Sequence, residues 1–419
     1  MNFIYVWLMR AIDQARNTSV LKTYKTLSTN QYQSYNECQH ALEQAKASYI
    51  TNVLNQTKAF KNTTNINSVT PIDKKTIKKD LSLYLNPRAE ALAIKRHTGG
   101  STGEPFEYFT TPLAQSYLWA GIFLSWQAAG YRLGDRVAFI GGGSILGKKN
   151  IKKALFFRAQ NIHTIDAFAE QTIDQQFCPT QILKIKPKFI YGYASSIAAA
   201  ATAIINSGSS QHYSFVQGVI TTAEILTDKM RNDIKIAFNC EVFNQYGSND
   251  AGVSAYECET HSGMHIITDR CFLEVGDDNQ LLATDLMNHS MAMVRYKFGD
   301  LGELSDIPCT CGRGYPLITS LKGRTNDTIT LKNGRKVHAS YFSFFLKTEN
   351  TIDRYQIIKE DNQIEINIIG ASPEAHARLQ SNYLNKLRSE LETESIFMVF
   401  DKPVETTNSN KFRFVIDRD

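Results

Sequence analysis

Cysteine and histidine recur at short spacings in two stretches of the chain: Cys258 and His265 in "CETHSGMH", and Cys309 and Cys311 in "CTC". Three thiolates and one imidazole are the donor set of a closed, structural tetrahedral zinc site. The spacing is looser than that of a zinc finger, so on spacing alone four unrelated residues in a reducing cytosol remain the alternative. His261 is a weaker candidate ligand, and Cys271 reads as core. A second chemistry-bearing stretch is "GGSTGEP" (99–105). Glycines let backbone N–H groups converge on an anion, and Ser and Thr hydroxyls add donors. A triphosphate suits such a loop; a plain surface turn is the bland reading. "GGSILGKK" (142–149) competes with it, matching the nucleotide-triphosphatase loop pattern except that Lys149 stands where a hydroxyl should ligate magnesium. No later strand ends in the aspartate that would support that metal.

These stretches need elements to position them. "FEYFTT" (106–111) reads as a strand, and 112–130 as a helix that starts at Pro112 and ends at Gly130. "RVAFIG", "KFIYGY" and "GVITT" read as buried strands, with helices around 148–159 and over "SSIAAAATAIIN" (195–206). Strand–helix alternation of this kind predicts an α/β fold with a largely parallel sheet. Residues 1–80 read as mostly helical, with a break at Pro71. Trp119 and Trp126, seven apart on one helix face, could line an aryl pocket, but aromatic residues at helical spacing read first as core. After about 320 the texture changes. A hairpin over 327–339 turns on Asn333-Gly334, and a helix follows near 341–348. Paired strands, a helix at 373–391 and a strand at 395–400 come next. The domains expected are 1–323, a large unit of β-sheets flanked by helices, and 324–419, a small mobile α+β unit.

The chain has 419 residues, 42% hydrophobic and 21% charged, with a net charge of +5. That length predicts more than one domain. The charge is too small and too dispersed to argue for nucleic acid, and "KKTIKKD" and "KKNIKK" read as solvated helix faces. No run reaches the roughly 18 apolar residues of a membrane helix. The N-terminal apolar patch is shorter than a signal-peptide core and lacks a basic lead. Seven scattered cysteines suit a reducing compartment. A cytoplasmic protein is expected.

Further motifs follow in order: "ITTAEILTDKMR" (220–231), "NQYGSNDAG" (244–252), "VRYKFGDLGEL" (294–304), "KGRTNDTITLKNGRKV" (322–337) and "NSNKFRFVI" (408–416). With "GGSTGEP", this series resembles the adenylate-forming ligases: acyl-CoA synthetases, peptide-synthetase adenylation domains and luciferases. "YECETHSGMHIITD" and "CTCGRGYPLI" narrow the resemblance to the phenylacetate–CoA ligases and the capsule-biosynthesis, CapK-like ligases grouped with them. It runs from about residue 70 to the C-terminus.

The resemblance implies an AMP-forming acid–thiol ligase that uses ATP and Mg2+. A carboxylate attacks the α-phosphate, and a nucleophile, usually the thiol of coenzyme A, then displaces AMP. Ser101, Thr102 and Gly103 would wrap the β- and γ-phosphates; the lysine common after the loop's proline is replaced by Phe106. Ala223, Glu224, Tyr246, Gly247, Ser248 and Asn249 would line the ATP/AMP site, with Tyr246 stacking on adenine. Asp250 takes the place of the magnesium-binding glutamate, and Asn249 that of a threonine or serine. Asp300 would accept from both ribose hydroxyls, Arg324 would hold ribose or phosphate, and Asn326 marks the hinge. Lys411 is the catalytic lysine, preceded by Asn410 where glycine is usual. Zn2+ on Cys258, His265, Cys309 and Cys311 would tie a β-rich lobe at about 256–316. The acid would bind beside "YGYASS" (191–196) and the 222–224 turn. Coenzyme A is the expected acceptor, with an amine or a carrier protein as alternatives, and a homodimer is left open. A P-loop ATPase or an inactive scaffold of the same fold are the rival readings.

Overall fold

The structure is a computed structural model. It describes residues 3–98, 106–141, 151–167, 176–324, 328–338, 342, 352, 354–361, 363–391, 395–405 and 414–418. The chain forms two compact units, one of Met1–Phe298 with Gly302–Leu321 and one of Gly299–Leu301 with Lys322–Asp419.

The first unit is built on a twelve-stranded sheet. Five of its strands run parallel, in the spatial order Ile162–Asp166, Val137–Gly141, Phe189–Tyr193, Gly218–Thr222, Glu241–Ser248. This is the flavodoxin-like order, which reverses direction between Val137–Gly141 and Phe189–Tyr193. Side chains alternate across the pleat. Ala138, Ile140, Ile190, Val219 and Val242 pack with the helices Phe177–Ile185, Ala194–Asn206 and Asp228–Phe238. Val137, Phe139, Phe189, Tyr191, Ile220 and Phe243 pack on the other face with the helices Val20–Asn30, Pro112–Ala128 and Ile151–Arg158. Both faces are thus covered, as a parallel sheet requires.

The α/β class and the large sheet flanked by helices are as expected; the largely parallel sheet is not. Beyond Glu241–Ser248 the described pairings through Val253–Glu257, Met264–Ile266 and Leu317–Arg324 are antiparallel, as is Cys271–Val275 on Gln280–Asp285. Short connections such as 249–252 leave no room for a crossover helix, so antiparallel pairing follows. The strand Ile162–Asp166 and the helix Phe177–Ile185 were not foreseen: the first is an edge strand whose polar residues hide its period. The helical reading of the N-terminus holds through Tyr35–Asn52, which opens with a Ser34/Glu37 capping box. From there to Lys74–Lys79 only short turns of 3-10 helix and the two-residue strand Ile72–Asp73 occur. The 112–130 helix runs Pro112–Ala128, capped by Thr111, and Gly130 (φ 92°) turns the chain out of it.

The second unit has a four-stranded sheet, ordered Ile396–Phe400, Gln363–Ile369, Arg354–Glu360, Val415–Asp417, over one apolar cluster with the 373–391 helical segment. That segment is Pro373–Arg378 and Leu384–Leu391 with a π-helical turn, Leu379–Tyr383, between them. The predicted hairpin pairs Thr328–Thr330 with Lys336–His338, but its loop is not a two-residue one. Leu331 N–H donates to Arg335 O and Gly334 N–H to Leu331 O, each at 2.9 Å, with Gly334 at φ 80°. This is a three-residue loop closed by a left-handed glycine. The 341–348 helix lies outside the described residues apart from Phe342.

Gly192 sits at the point where the strand order reverses. A Cβ there would lie 1.8 Å from the Ile140 carbonyl oxygen of the neighbouring strand. Both strands are fully buried and cannot part without opening the core. Gly192→Ala is therefore expected to destabilise the first unit by about 3 kcal/mol or more, read as a fall in the urea midpoint.

Candidate functional site

The parallel register determines what meets at the carboxyl edge of the sheet. Thr222 pairs with Gln245, so the next residues of the two strands, Ala223–Glu224 and Tyr246–Gly247, emerge side by side. Five of the predicted nucleotide-site residues (Ala223, Glu224, Tyr246, Gly247, Ser248) share this corner. Ala223 has φ 65°, a left-handed angle uncommon for a residue with a side chain. It turns the chain so that the Glu224 carboxylate accepts from the Ser195 N–H at 2.8 Å. Ser195 lies in the first turn of Ala194–Asn206, whose N-cap residue, Tyr193, supplies no side-chain cap. Glu224 satisfies that helix end and complements its dipole. Beneath the corner, the buried Tyr191 hydroxyl donates to Gln245 Oε1 at 2.7 Å.

Tyr246 is half-buried against the apolar cluster of the antiparallel strands. The strand ends at Ser248, and Asn249 and Asp250 open the turn to Val253–Glu257. Asp250 accepts from the Ser248 hydroxyl at 2.9 Å and from the Tyr296 hydroxyl at 3.2 Å. Burial, and then the Asp250 carboxylate, holds the Tyr296 hydroxyl far above its ordinary range, so it stays a donor. Gly252 (φ 71°) closes the turn over buried Asp285; a Cβ there would meet Asp285 Cγ at 2.2 Å. Phe106, in the position where related loops carry lysine, is fully buried and stacks on Tyr108 and Tyr296, with ring centroids 6.3 and 6.4 Å away.

In the second unit Asp300 and Arg324 form an ion pair, Nε to Oδ1 3.1 Å, with Asp300 buried and Arg324 exposed. The predicted Ser101, Thr102, Gly103, Asn326 and Lys411, and the competing 142–149 loop, lie outside the described residues. The chain on either side of 406–413 is anchored to one strand. Gln356 bonds Glu405 O and Glu405 N–H at 2.8 and 2.9 Å, and Ile357 N–H donates to Phe414 O at 2.8 Å.

Cys258, His265, Cys309 and Cys311 converge, with all their donor atoms within 4.8 Å of one another. Cys258 Sγ and Cys309 Sγ are 3.7 Å apart, and Cys311 Sγ is 3.3 Å from His265 Nε2. A tetrahedral ion with zinc–sulfur bonds of about 2.3 Å would place two sulfurs about 3.8 Å apart, so the donor set fits zinc. The Tyr315 carbonyl accepts from His265 Nδ1 at 3.2 Å, which leaves Nε2 as the free lone pair. Burial pushes the imidazole pKa down to about 4, keeping it neutral, and pushes the Cys258 thiol up to about 11. At Cys309 burial also raises the pKa, but hydrogen bonds with Thr260 and Cys311 outweigh it and the net shift is downward. His261 points away, to Glu257 and Glu241, and Cys271 is buried in the apolar cluster. The loop is fastened to the N-terminal helices through Gln31. Its Oε1 accepts from Tyr256 at 2.7 Å and Arg313 at 3.0 Å, and its carbonyl accepts from Gly314 N–H at 2.9 Å.

Tyr296, Ser195, Thr260 and Gln31 were not foreseen as supports. Tyr296 opens the very Tyr-x-x-Gly-Asp stretch that singled out Asp300, so a signal for it was present. Ser195 and Gln31 partner residues remote in sequence, and Thr260 joins nearby Cys258 to remote Cys309.

No family model matches the chain. It is 26% identical over 368 residues to Protein CapK of Staphylococcus aureus, covering 84% of this chain and 80% of CapK. It is 25% identical over 317 residues to phenylacetate–coenzyme A ligase of Thermus thermophilus, covering 69% and 67%. A solved 2-hydroxyisobutyryl-CoA ligase in complex with 2-HIB-AMP superposes with a TM-score of 0.64 at 16% identity, covering 95% of this chain and 88% of that one. The resemblance to the adenylate-forming superfamily, on its CapK and phenylacetate–CoA ligase side, stands. Among the described residues no helix is long and apolar enough to cross a membrane. Glu224→Ala leaves the Ser195 N–H without its acceptor and is expected to lower stability by about 1 kcal/mol, seen as a lower melting temperature. Unchanged melting would show that the Glu224 bond adds nothing to the corner.

Proposed function

We propose that this protein activates a carboxylic acid with ATP to an acyl-adenylate, releasing pyrophosphate, and passes the acyl group to coenzyme A. The observation that carries this reading is the corner at the carboxyl edge, where Ala223–Glu224 and Tyr246–Gly247 emerge from paired strands with Asp250 on the turn just beyond. Open α/β sheets bind ligands at that edge. The Tyr246 face offers an apolar platform for adenine. Asp250, its carboxylate held by Ser248 and Tyr296, would take Mg2+ by resemblance, and the ion would neutralise phosphate charge when bound. By resemblance, Ser101, Thr102 and Gly103 take the β- and γ-phosphates, Asp300 and Arg324 the ribose side, and Asn326 the hinge. The acid lies beside Tyr191–Ser196. Lys411 neutralises charge between the carboxylate and the α-phosphate.

In the first half-reaction a carboxylate oxygen bonds to the α-phosphorus and the bond to pyrophosphate breaks. In the second the thiol sulfur, losing its proton, bonds to the acyl carbon and AMP leaves with the electron pair. Cys258, His265, Cys309 and Cys311 would hold zinc in a structural role, since four protein donors would leave no open position for substrate.

ATP–pyrophosphate exchange across a panel of acids tests the reading. Exchange should depend on one class of acid, and Lys411→Ala should reduce it at least about 100-fold while ATP binding is kept. If Lys411→Ala is silent and Lys148→Ala abolishes ATP turnover, the P-loop reading replaces this one. Metal analysis of reduced, purified protein should find about one zinc per chain, lost together with thermal stability in Cys309→Ser.

A further inference from the structure

Three cations converge on one helix face of the first unit. Gln115 and Trp119, one turn apart on Pro112–Ala128, form that face. Arg96, on the strand Ile94–His97 that leads into the glycine-rich run, donates from Nη2 to Gln115 Oε1 at 3.1 Å. Phe156 and Phe157 pack on Trp119, with centroids 4.9 and 6.2 Å away. Arg16, the last residue of Phe3–Arg16, stacks over Phe156 with its guanidinium carbon 4.7 Å from the ring centre. Lys153, one turn before those phenylalanines on Ile151–Arg158, places its ammonium 5.6 Å from the Phe157 ring. The basic run that contains Lys153 reads in the sequence as a solvated face, yet Lys153 is half-buried.

Among the described residues, Asp13 is the carboxylate that acts on Arg16. It is bonded through both oxygens to Thr18, Val20 and Leu21. Among the described residues neither Arg16 nor Arg96 forms an ion pair with a carboxylate. Burial first, and the Arg96 charge second, lower the pKa of both Arg16 and Lys153, as mutual repulsion requires. A fold that gathers like charges against aromatic rings is set up for a counter-anion. The location narrows which one. Lys153 opens the helix after Val137–Gly141, at the carboxyl edge and next to the point where the strand order reverses. The buried contacts Phe157–Phe139 (5.8 Å) and Phe139–Tyr191 (4.9 Å) tie the cluster to the strand that ends at the Ser195–Glu224 corner.

We propose that Arg16, Arg96 and Lys153 bind a doubly charged oxyanion, a second carboxylate or a phosphate, carried by one of the reaction's substrates. The aromatic floor favours the acid as its carrier. Such a substrate would have an apolar body on Trp119 and Phe156 and an anionic group remote from the carboxylate being activated. This assignment of the carrier rests on the ligase reading; the anion site itself does not.

Trp119 reports on the site directly, so anion binding is measured without ATP. Titrating the full chain with inorganic phosphate or succinate should shift tryptophan emission saturably, and acetate should need at least tenfold more. Trp119→Phe should remove the signal. Arg96→Gln and Lys153→Gln should raise half-saturation at least tenfold, while Lys153→Arg should retain it; melting curves confirm folding. No saturable shift in the wild type, or equal half-saturation in the glutamine variants, overturns the site. Pyrophosphate exchange then separates the sources. If the acid carries the anion, Lys153→Gln lowers the kcat/KM ratio of dicarboxylate to monocarboxylate tenfold and leaves the KM for ATP unchanged. If the nucleotide carries it, the KM for ATP rises and the acid preference stays. Anion binding without exchange on any acid would count against the ligase reading and leave the site standing.

Discussion

The register of five parallel strands is the constraint on which the rest of the first unit depends. Thr222 opposite Gln245 brings two loops together that are more than twenty residues apart in sequence. A slip by one residue would reverse every side chain between the two helical layers. It would also carry Glu224 away from Ser195. The strands are buried on both faces, and the glycine at position 192 lets two of their backbones approach closely. The corner therefore has little freedom, and the left-handed angle at Ala223 is held by the pairing before it and the helix end after it.

Around that rigid edge the polar groups are arranged in supporting pairs: Glu224 holds a helix N-terminus, and Ser248 and Tyr296 hold Asp250. Within the second unit Asp300 holds Arg324. Each carboxylate expected to meet a ligand already has a protein partner that fixes its direction, which reduces the reorganisation needed on binding. The cysteine–histidine cluster follows the same logic: the Tyr315 carbonyl selects the His265 tautomer, and the Thr260 hydroxyl lies 3.1 and 3.2 Å from the Cys258 and Cys309 sulfurs.

Much of this was legible from sequence. Continuous apolar strands between helices announced the parallel core, and the order of the motifs led to the residues that the carboxyl edge brings together. The cysteine–histidine set was legible through the family resemblance, because in a chain with seven cysteines and nine histidines its loose spacing alone is a weak signal. Other features were hidden for physical reasons. The antiparallel half is set by short connections whose pairing partners are remote, such as Met264–Ile266 with Leu317–Arg324. Ile162–Asp166 is an edge strand with polar residues that mask its period. The three-residue hairpin loop differs from a two-residue turn only in which residues exchange hydrogen bonds. The basic cluster draws on Arg16, Arg96 and Lys153, residues that mean nothing until two helices and a strand are packed.

Gln31 gives the N-terminal helices a role beyond covering the sheet. They precede the region that carries the motif series, yet one nearly inaccessible glutamine joins them to Tyr256, Arg313 and Gly314 around the cysteine loop. A Cβ on Gly314 would lie 2.1 Å from the Gln33 carbonyl, so the two segments approach as closely as backbone allows. Segments coupled this tightly open together as one cooperative block. The N-terminal helices and the cysteine loop should therefore exchange their amide protons as a single foldon, with the cysteine–histidine cluster at one end and the first helices at the other.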